Sequence, residues 1–315
     1  NIQSRLMGRD ENLKFKYEGL LRRGNGTNVD GEANARLEQL KELILLEGLP
    51  DNASDGGFCG RGTLRGTVWK ALLGVADVSV DEYLQLVKKG ASNDYQKIFN
   101  DVYRTFSKHE EYTSRVPREM LVRLLNAFVH HRGNTKGTYV QSMSVLAAPF
   151  LFLMPEPEAF LSFQIFLRER IPAYVYKYVG VHSGCELLDK CLQLLDPFLY
   201  KRFLEFKLTP QMYAFPNISS LGMCVSPLND SIRLLDVQLA YGSHLGVLFS
   251  LGRLLLASEE IMQVRGRLPI TTRQMENGFG FSSEQVLNYT LTRIIPEIGD
   301  DLYKEVEEHT GEKGL

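Results

Sequence analysis

Apolar residues recur along this chain at the three- and four-residue spacing of amphipathic helices and almost nowhere with the alternation of strands. From Ala35 onward, Leu37, Leu40, Leu43, Ile44 and Leu46 share one helical face until Gly48-Leu49-Pro50 stops the segment. A stretch rich in Gly, Asp, Asn and Ser follows over 51–62. Helical patterns are then predicted over 64–73, 80–88, 94–106, 118–129, 138–153, 159–179, 185–206, 227–257 and 283–294. Residues 75–80 alternate briefly, but they include Asp77 and are too few to seed a sheet. No internal repeat emerges. The pattern predicts an all-α chain in three parts. These are an N-terminal extension over 1–34, with a helical patch at 13–23 and a Gly24-Asn25-Gly26 linker, one large helical domain over 35–300, and a polar tail over 301–315.

Composition narrows the function classes. With 44% hydrophobic and 23% charged residues the chain has the balance of a folded globular protein. The 36 Lys and Arg against 38 Asp and Glu give a net charge of −2, so no global basic field exists to neutralise a phosphate backbone, and nucleic acid is not an expected partner. Cys59, Cys185, Cys191 and Cys224 include no CxxC pair, which reads as reduced thiols in a cytoplasmic protein. The first residues are charged and lack an apolar run, so no secretory signal is expected, and a first residue other than Met suggests a fragment or a processed chain. The longest apolar run, 145–154, contains Pro149 and is half of the roughly 20 residues a membrane helix needs. No transmembrane segment is expected.

The usual catalytic signatures are missing. The glycines from Gly56 to Gly62 lack the Gly-Lys-Ser/Thr ending of a phosphate loop and read as a surface loop. His130 and His131 are adjacent, roughly 100° apart on a helix, and cannot chelate one metal together. His182 and Cys185 are within a helical turn of each other, but a packed thiol is the simpler reading. Two segments are more informative. On a helix over 94–106, Phe99, Val102 and Phe106 cluster while Arg104 lies on the far side, three residues after Asp101, as in an ordinary surface ion pair. The segment 139–149 is apolar on nearly all sides, so it is expected to be central, with Gln141 at its exposed N-terminal end. Trp69 shares an apolar stripe with Leu72 and Leu73 and is expected in the core.

Taken in order, these segments carry a resemblance. Leu64-Arg65-Gly66-Thr67-Val68-Trp69-Lys70-Ala71-Leu72-Leu73-Gly74, then Ile98-x-x-Asp101-x-x-Arg104-Thr105, then Tyr139-x-Gln141 resemble the ordered motif triple of the TBC family of GTPase-activating proteins, over roughly residues 64–296. Membership implies an all-helical fold and stimulation of GTP hydrolysis on a Ras-like or Rab-like small GTPase. By motif match, Arg104 would be an arginine finger and Gln141 a glutamine finger, with Asp101, Tyr139, Thr105, Arg65 and Ser142 in supporting or partner-facing roles. Arg65 is expected to tie its helix to a neighbour. GTP and Mg²⁺ would belong to the partner, leaving this chain with no cofactor of its own.

A narrower resemblance rests on Ile44-Leu-Leu-Glu-Gly-Leu-Pro50, Tyr95-Gln-Lys-Ile98, Tyr139-Val-Gln-x-Met-x-Val-Leu, Leu188-Asp189, Asp196-Pro197 and Ala240-Tyr-Gly-x-His244. These are similar to the fungal branch that restrains mitotic exit and septation. That branch implies a Ras-like GTPase, a separate scaffold subunit and residence at the spindle pole body. The chain departs from the family pattern at Ser142, where Gly is usual, and at Ser144, where Asn is frequent. A Ser142 side chain would crowd an approaching switch loop. A catalytically weak TBC scaffold and a trafficking Rab activator stay open as alternatives.

Overall fold

The computed structural model describes residues 2–22, 29–50, 62–75, 78–225, 227–263 and 278–312. Among these residues every regular element is a helix, as the periodicity predicts. The loop glycines Gly56 to Gly60 and the thiol of Cys59 lie outside the described residues. Contacts gather into two compact units, residues 1–166 and 167–315.

The first unit comprises α1 (Ile2–Leu21), α2 (Val29–Leu46), α3 (Leu64–Leu72), α4 (Val80–Lys88), α5 (Tyr95–Val102), α6 (Glu110–Arg115), α7 (Arg118–His131), α8 (Ser142–Leu153) and α9 (Glu156–Ile165). Helix α8 buries ten of its residues, including Leu146, Phe150 and Leu153, and packs against α3, α5, α7 and α9. It is the central helix that its uniform apolarity predicts. Trp69 on α3 is fully buried and meets Phe150 edge-on at 5.1 Å between ring centroids. The start of α3 is fastened to the end of α8: both the amide and the hydroxyl of Thr63 donate to the Leu153 carbonyl at 2.9 Å. Gly66 is required here, because a Cβ would lie 2.5 Å from that carbonyl oxygen.

Helix α1 adds a contact that the reading of 1–34 as an extension does not anticipate. Tyr17 is fully buried and its hydroxyl donates to the Gly48 carbonyl at 2.8 Å, so α1 packs with α2 and α3. The expected helical patch at 13–23 is the last part of this longer helix.

The second unit comprises α10 (Pro172–Val175), α11 (Val179–Leu195), α12 (Pro197–Glu205), α13 (Pro210–Tyr213), α14 (Phe215–Ser219), α15 (Leu228–Tyr241), α16 (Leu245–Leu256), α17 (Ser258–Gln263), α18 (Ser283–Tyr289), α19 (Ile295–Ile298) and α20 (Asp300–Glu308). Helices α11 and α16 pack against each other at its centre. Three long predicted helices are each divided, the one over 159–179 giving way at Ile171 before Pro172. Asp196-Pro197 ends α11 and caps α12, with the Asp196 carboxylate accepting from the Leu199 amide. Gly242, at φ 123°, breaks 227–257 into α15 and α16. Cys185 and Cys191 are free and buried, and burial pushes both thiols up to about 12. His182 stacks on Phe215 instead of activating Cys185.

The stretch expected as a polar tail is helical through Glu308 and anchored beyond it. Val306 is fully buried, Glu312 pairs with Arg170 at 2.6 Å, and Glu312 accepts from the Ser243 amide at 2.9 Å. The polar majority of this stretch masks the few positions that pack.

His309 donates from Nδ1 to the Val306 carbonyl, leaving Nε2 to accept from the Tyr174 hydroxyl at 2.9 Å. Burial holds its pKa down at about 4, and burial followed by the charge of His309 holds His244 at about 4 as well.

Two predictions arise from this packing. Trp69→Ala opens a cavity against Phe150 and is expected to cost about 3 to 5 kcal/mol, read as a lower denaturation midpoint. The second unit is expected to lose stability as pH falls from about 6.5 toward 4. In that window the unfolded histidines bind protons while buried His244 and His309 stay neutral, so protonation favours the unfolded chain. Denaturation midpoints at pH 7 and pH 5, with and without His309→Gln, check the sign and the assignment.

Candidate functional site

Helix α5 ends sooner than its pattern predicts. It stops at Val102, Tyr103 caps it, and Arg104 sits in the turn that follows, where the amides of Arg104 and Thr105 both fold back onto the Asp101 carbonyl at 3.1 Å. The buried stripe is therefore Ile98, Val102 and Thr105, with Phe99 at 46% exposure. This corrects the expected cluster of Phe99, Val102 and Phe106: Phe106 has φ 46°, and the left-handed turn takes it off the helix face.

The contacts of the segment centre on Asp101. Its carboxylate is mostly covered, at 12% exposure, and its two oxygens have different partners. Oδ1 receives Nη2 of Arg104 at 2.7 Å, and Oδ2 receives the Tyr139 hydroxyl at 3.0 Å. The Arg104 side chain is otherwise open to solvent, at 68% exposure, with the rest of its guanidinium donors facing outward.

Gln141 is reached through a loop that the same helix holds. The predicted helix over 138–153 begins only at Ser142, and Gln141 is its cap. The Gln141 carbonyl accepts from the Ser144 hydroxyl at 3.1 Å and lies 3.3 Å from the Tyr139 hydroxyl. Its amide side chain is exposed and does not cap α8. The backbone is pinned while the side chain remains available.

Two anchoring residues escape sequence reasoning. Asp94, 2% exposed, accepts from the Gly137 amide at 3.0 Å on both oxygens and from the Tyr139 amide at 2.9 Å. The only local signal is an Asp in cap position, yet its carboxylate makes no cap bond to α5 and is spent on a loop more than forty residues away. Ser144, which the family pattern marks only as a departure, is 2% exposed and accepts at 3.0 Å from the Thr105 hydroxyl. Ser142 is half-buried beside Gln141, the one departure that borders the open surface.

Arg104, Asp101, Thr105, Tyr139 and Gln141 thus form one network in the first unit. Arg65 lies apart from it: the side chain is 3% exposed and donates to the Leu49 carbonyl at 3.3 Å, holding α3 to the end of the α2 segment. A partner surface cannot reach it. Among the described residues no group of His, Cys, Asp or Glu is placed to hold a metal, and no helix is long and apolar enough to cross a membrane.

The described residues thus place an exposed arginine and an exposed glutamine at two braced junctions of an all-helical fold. The model of the RabGAP-TBC family, the Rab-GTPase-TBC domain, matches residues 62–262, and the chain belongs to that family. The matched span contains all three motifs. Family membership brings a small GTPase as partner. The chain is 34% identical over 310 residues to the putative mitotic check point protein BUB2 of Dictyostelium discoideum, covering 95% of this chain and 81% of that protein. It is 39% identical over 228 residues to cell division control protein 16 of Schizosaccharomyces pombe, covering 72% and 74% respectively. The crystal structure of the Ypt/Rab-GAP domain of Gyp1p shares the fold at a TM-score of 0.70 and 17% identity, over 93% of this chain and 99% of that one.

The Asp94 clasp generates a prediction. Asp94→Ala leaves the Gly137 and Tyr139 amides without their charged acceptor, and a cost of about 2 to 4 kcal/mol is expected in urea denaturation. An unchanged midpoint would show that the loop is held elsewhere.

Proposed function

We propose that this chain is the GTPase-activating subunit for a Ras-like small GTPase, supplying Arg104 and Gln141 in trans to the transition state of GTP hydrolysis. The observation that carries this reading is the Asp101 carboxylate, which fastens the Arg104 side chain and the loop leading to Gln141 to one point. Nucleotide and Mg²⁺ come with the GTPase, and the chain needs no cofactor of its own.

Phosphoryl transfer to water asks a protein mainly for positioning and for charge stabilisation on phosphate oxygens. Arginine meets the second need with a fixed charge and a planar fork of donors. A finger of this kind is worth on the order of 10³ to 10⁵ in rate, about 4 to 7 kcal/mol. The Arg104–Asp101 pair is exposed on the arginine side, and such pairs contribute less than about 1 kcal/mol, so a phosphate competes for Arg104 at small cost. The Gln141 amide can donate to a phosphate oxygen while accepting from the attacking water.

Relatives described as a mitotic check point protein and a cell division control protein support a role in mitotic exit and septation. On that reading the chain works with a scaffold subunit, in the cytoplasm and at the spindle pole body. A second reading, a TBC scaffold of low catalytic power, is favoured by one observation, the Ser142 side chain beside Gln141.

Single-turnover GTP hydrolysis on a panel of Ras-like and Rab-like GTPases, with and without the scaffold subunit, tests the proposal. Arg104→Ala is expected to abolish stimulation while leaving the melting curve nearly unchanged, and Arg104→Lys is not expected to rescue it. Full stimulation by Arg104→Ala would sink the assignment. Gln141→Ala is expected to remove most of the stimulation as well, the double variant resembling either single one, since both groups act on one transition state. Ser142→Gly is expected to raise the rate. If Gln141→Ala is silent on every GTPase and Ser142→Gly changes nothing, the scaffold reading replaces the catalytic one.

A further inference from the structure

Beside the Arg104 turn the first unit exposes apolar surface that its own packing does not use. Tyr95, Phe99 and Tyr103 are 38%, 46% and 60% exposed. Their spacing of four places them on one face of α5, each about 40° further round. Tyr95 and Phe99 stack at 6.0 Å, and the Arg118 guanidinium lies over the Tyr103 ring at 4.4 Å. Arg118 also edges a cleft of about 180 Å³ between Val102, Tyr112, Val116 and Leu121. The Tyr112 hydroxyl that borders this cleft is buried and has no hydrogen-bond partner, and burial pushes its pKa well up.

Three exposed aromatic rings in one row, each braced by a neighbour, are costly in water and have little rotamer freedom left to lose on binding. Their position identifies what covers them. Tyr103 directly precedes Arg104, and Val102 and Thr105 of the same turn line the cleft. A protein partner of standard size covers about 800 Å² on each side, a disc of about 16 Å radius. Tyr95 lies only about 12 Å along the helix from Tyr103 at 1.5 Å per residue. A GTPase whose contact is centred near Arg104 therefore also covers this row.

We infer that Tyr95, Phe99 and Tyr103, with Arg118 and the adjoining cleft, form the affinity surface for the small GTPase, docking an apolar patch that borders its nucleotide. The inference rests on the placement of Arg104 at the GTPase, but it concerns binding and not chemistry. The row supplies hot-spot contact area, and the cleft takes one apolar side chain whose backbone carbonyl can satisfy the Tyr112 hydroxyl.

The test separates the two. Binding of the GTPases of the panel, loaded with a non-hydrolysable GTP analogue, is measured by titration calorimetry, and single-turnover hydrolysis is followed across a range of concentrations of this chain. Phe99→Ala and Tyr103→Ala are expected to weaken Kd at least tenfold on the responding GTPase, with the loss appearing in the half-saturating concentration and not in the maximal rate. Arg104→Ala is expected to do the reverse, keeping Kd within about threefold while the maximal rate collapses. All three side chains are exposed, so thermal melts should overlay the parent's. Unchanged Kd in both aromatic variants, or a fall in maximal rate at unchanged Kd, overturns the docking surface and leaves the Arg104 assignment standing. Full hydrolysis by Arg104→Ala, with weakened binding by Phe99→Ala, overturns the catalytic assignment and leaves the docking surface standing. A parent chain that binds no member of the panel overturns both.

Discussion

The site depends on how one carboxylate divides its two oxygens. Asp101 gives one to Arg104, which is exposed and can exchange it at small cost, and the other to the Tyr139 hydroxyl on the covered side. The Tyr139 bond keeps the carboxylate in place when Arg104 swings away, so the anchor of the loop does not depend on the arginine. Tyr139 is itself pinned at its amide by Asp94, which lies seven residues before Asp101 at the start of the same helix. Two acidic side chains at the two ends of α5 therefore hold one loop at two points, and the loop delivers Gln141.

This arrangement explains why both residues sit at helix junctions. A side chain within a packed helix has its direction fixed by the helix, and turning it outward would turn a buried neighbour outward too. Arg104 escapes this by lying two residues past the end of α5, and Gln141 by lying at the cap of α8. In each case the backbone is held by hydrogen bonds to its carbonyl or amide, while the side chain keeps its exposure. Preorganised backbone with an unspent polar group is the condition under which electrostatic stabilisation is available at small reorganisation cost.

Much of this was legible in the sequence. Period-3.6 apolar patterning identified the helices, the apolarity of 139–149 on nearly all sides marked the central one, and Trp69 with Leu72 placed α3 in the core. The spacing of Asp101 and Arg104 anticipated their ion pair. What escaped has a common cause. Asp94, Ser144 and the tail contacts of His309 and Glu312 each act on a partner distant in sequence, and a one-dimensional pattern assigns such residues their local role instead. Asp94 reads as a helix cap and Ser144 as a bare departure from the family pattern. Helix ends were overrun for a related reason: the apolar spacing continues through Phe106 and through Gly242, and only the backbone turn at those positions ends the element.

The burial of Ser144 also changes what its departure from the family pattern means. A serine that accepts from Thr105 and donates to the Gln141 carbonyl braces the loop and does not face a partner, so its effect falls on the position of Gln141 and not on steric access. Ser142 alone is left as a steric element at the surface. Affinity then has to come from elsewhere, because a net charge of −2 over 315 residues provides no long-range field to steer a partner. On the reading proposed above, contact area next to Arg104 is one such source, and the exposed aromatic row of α5 offers it.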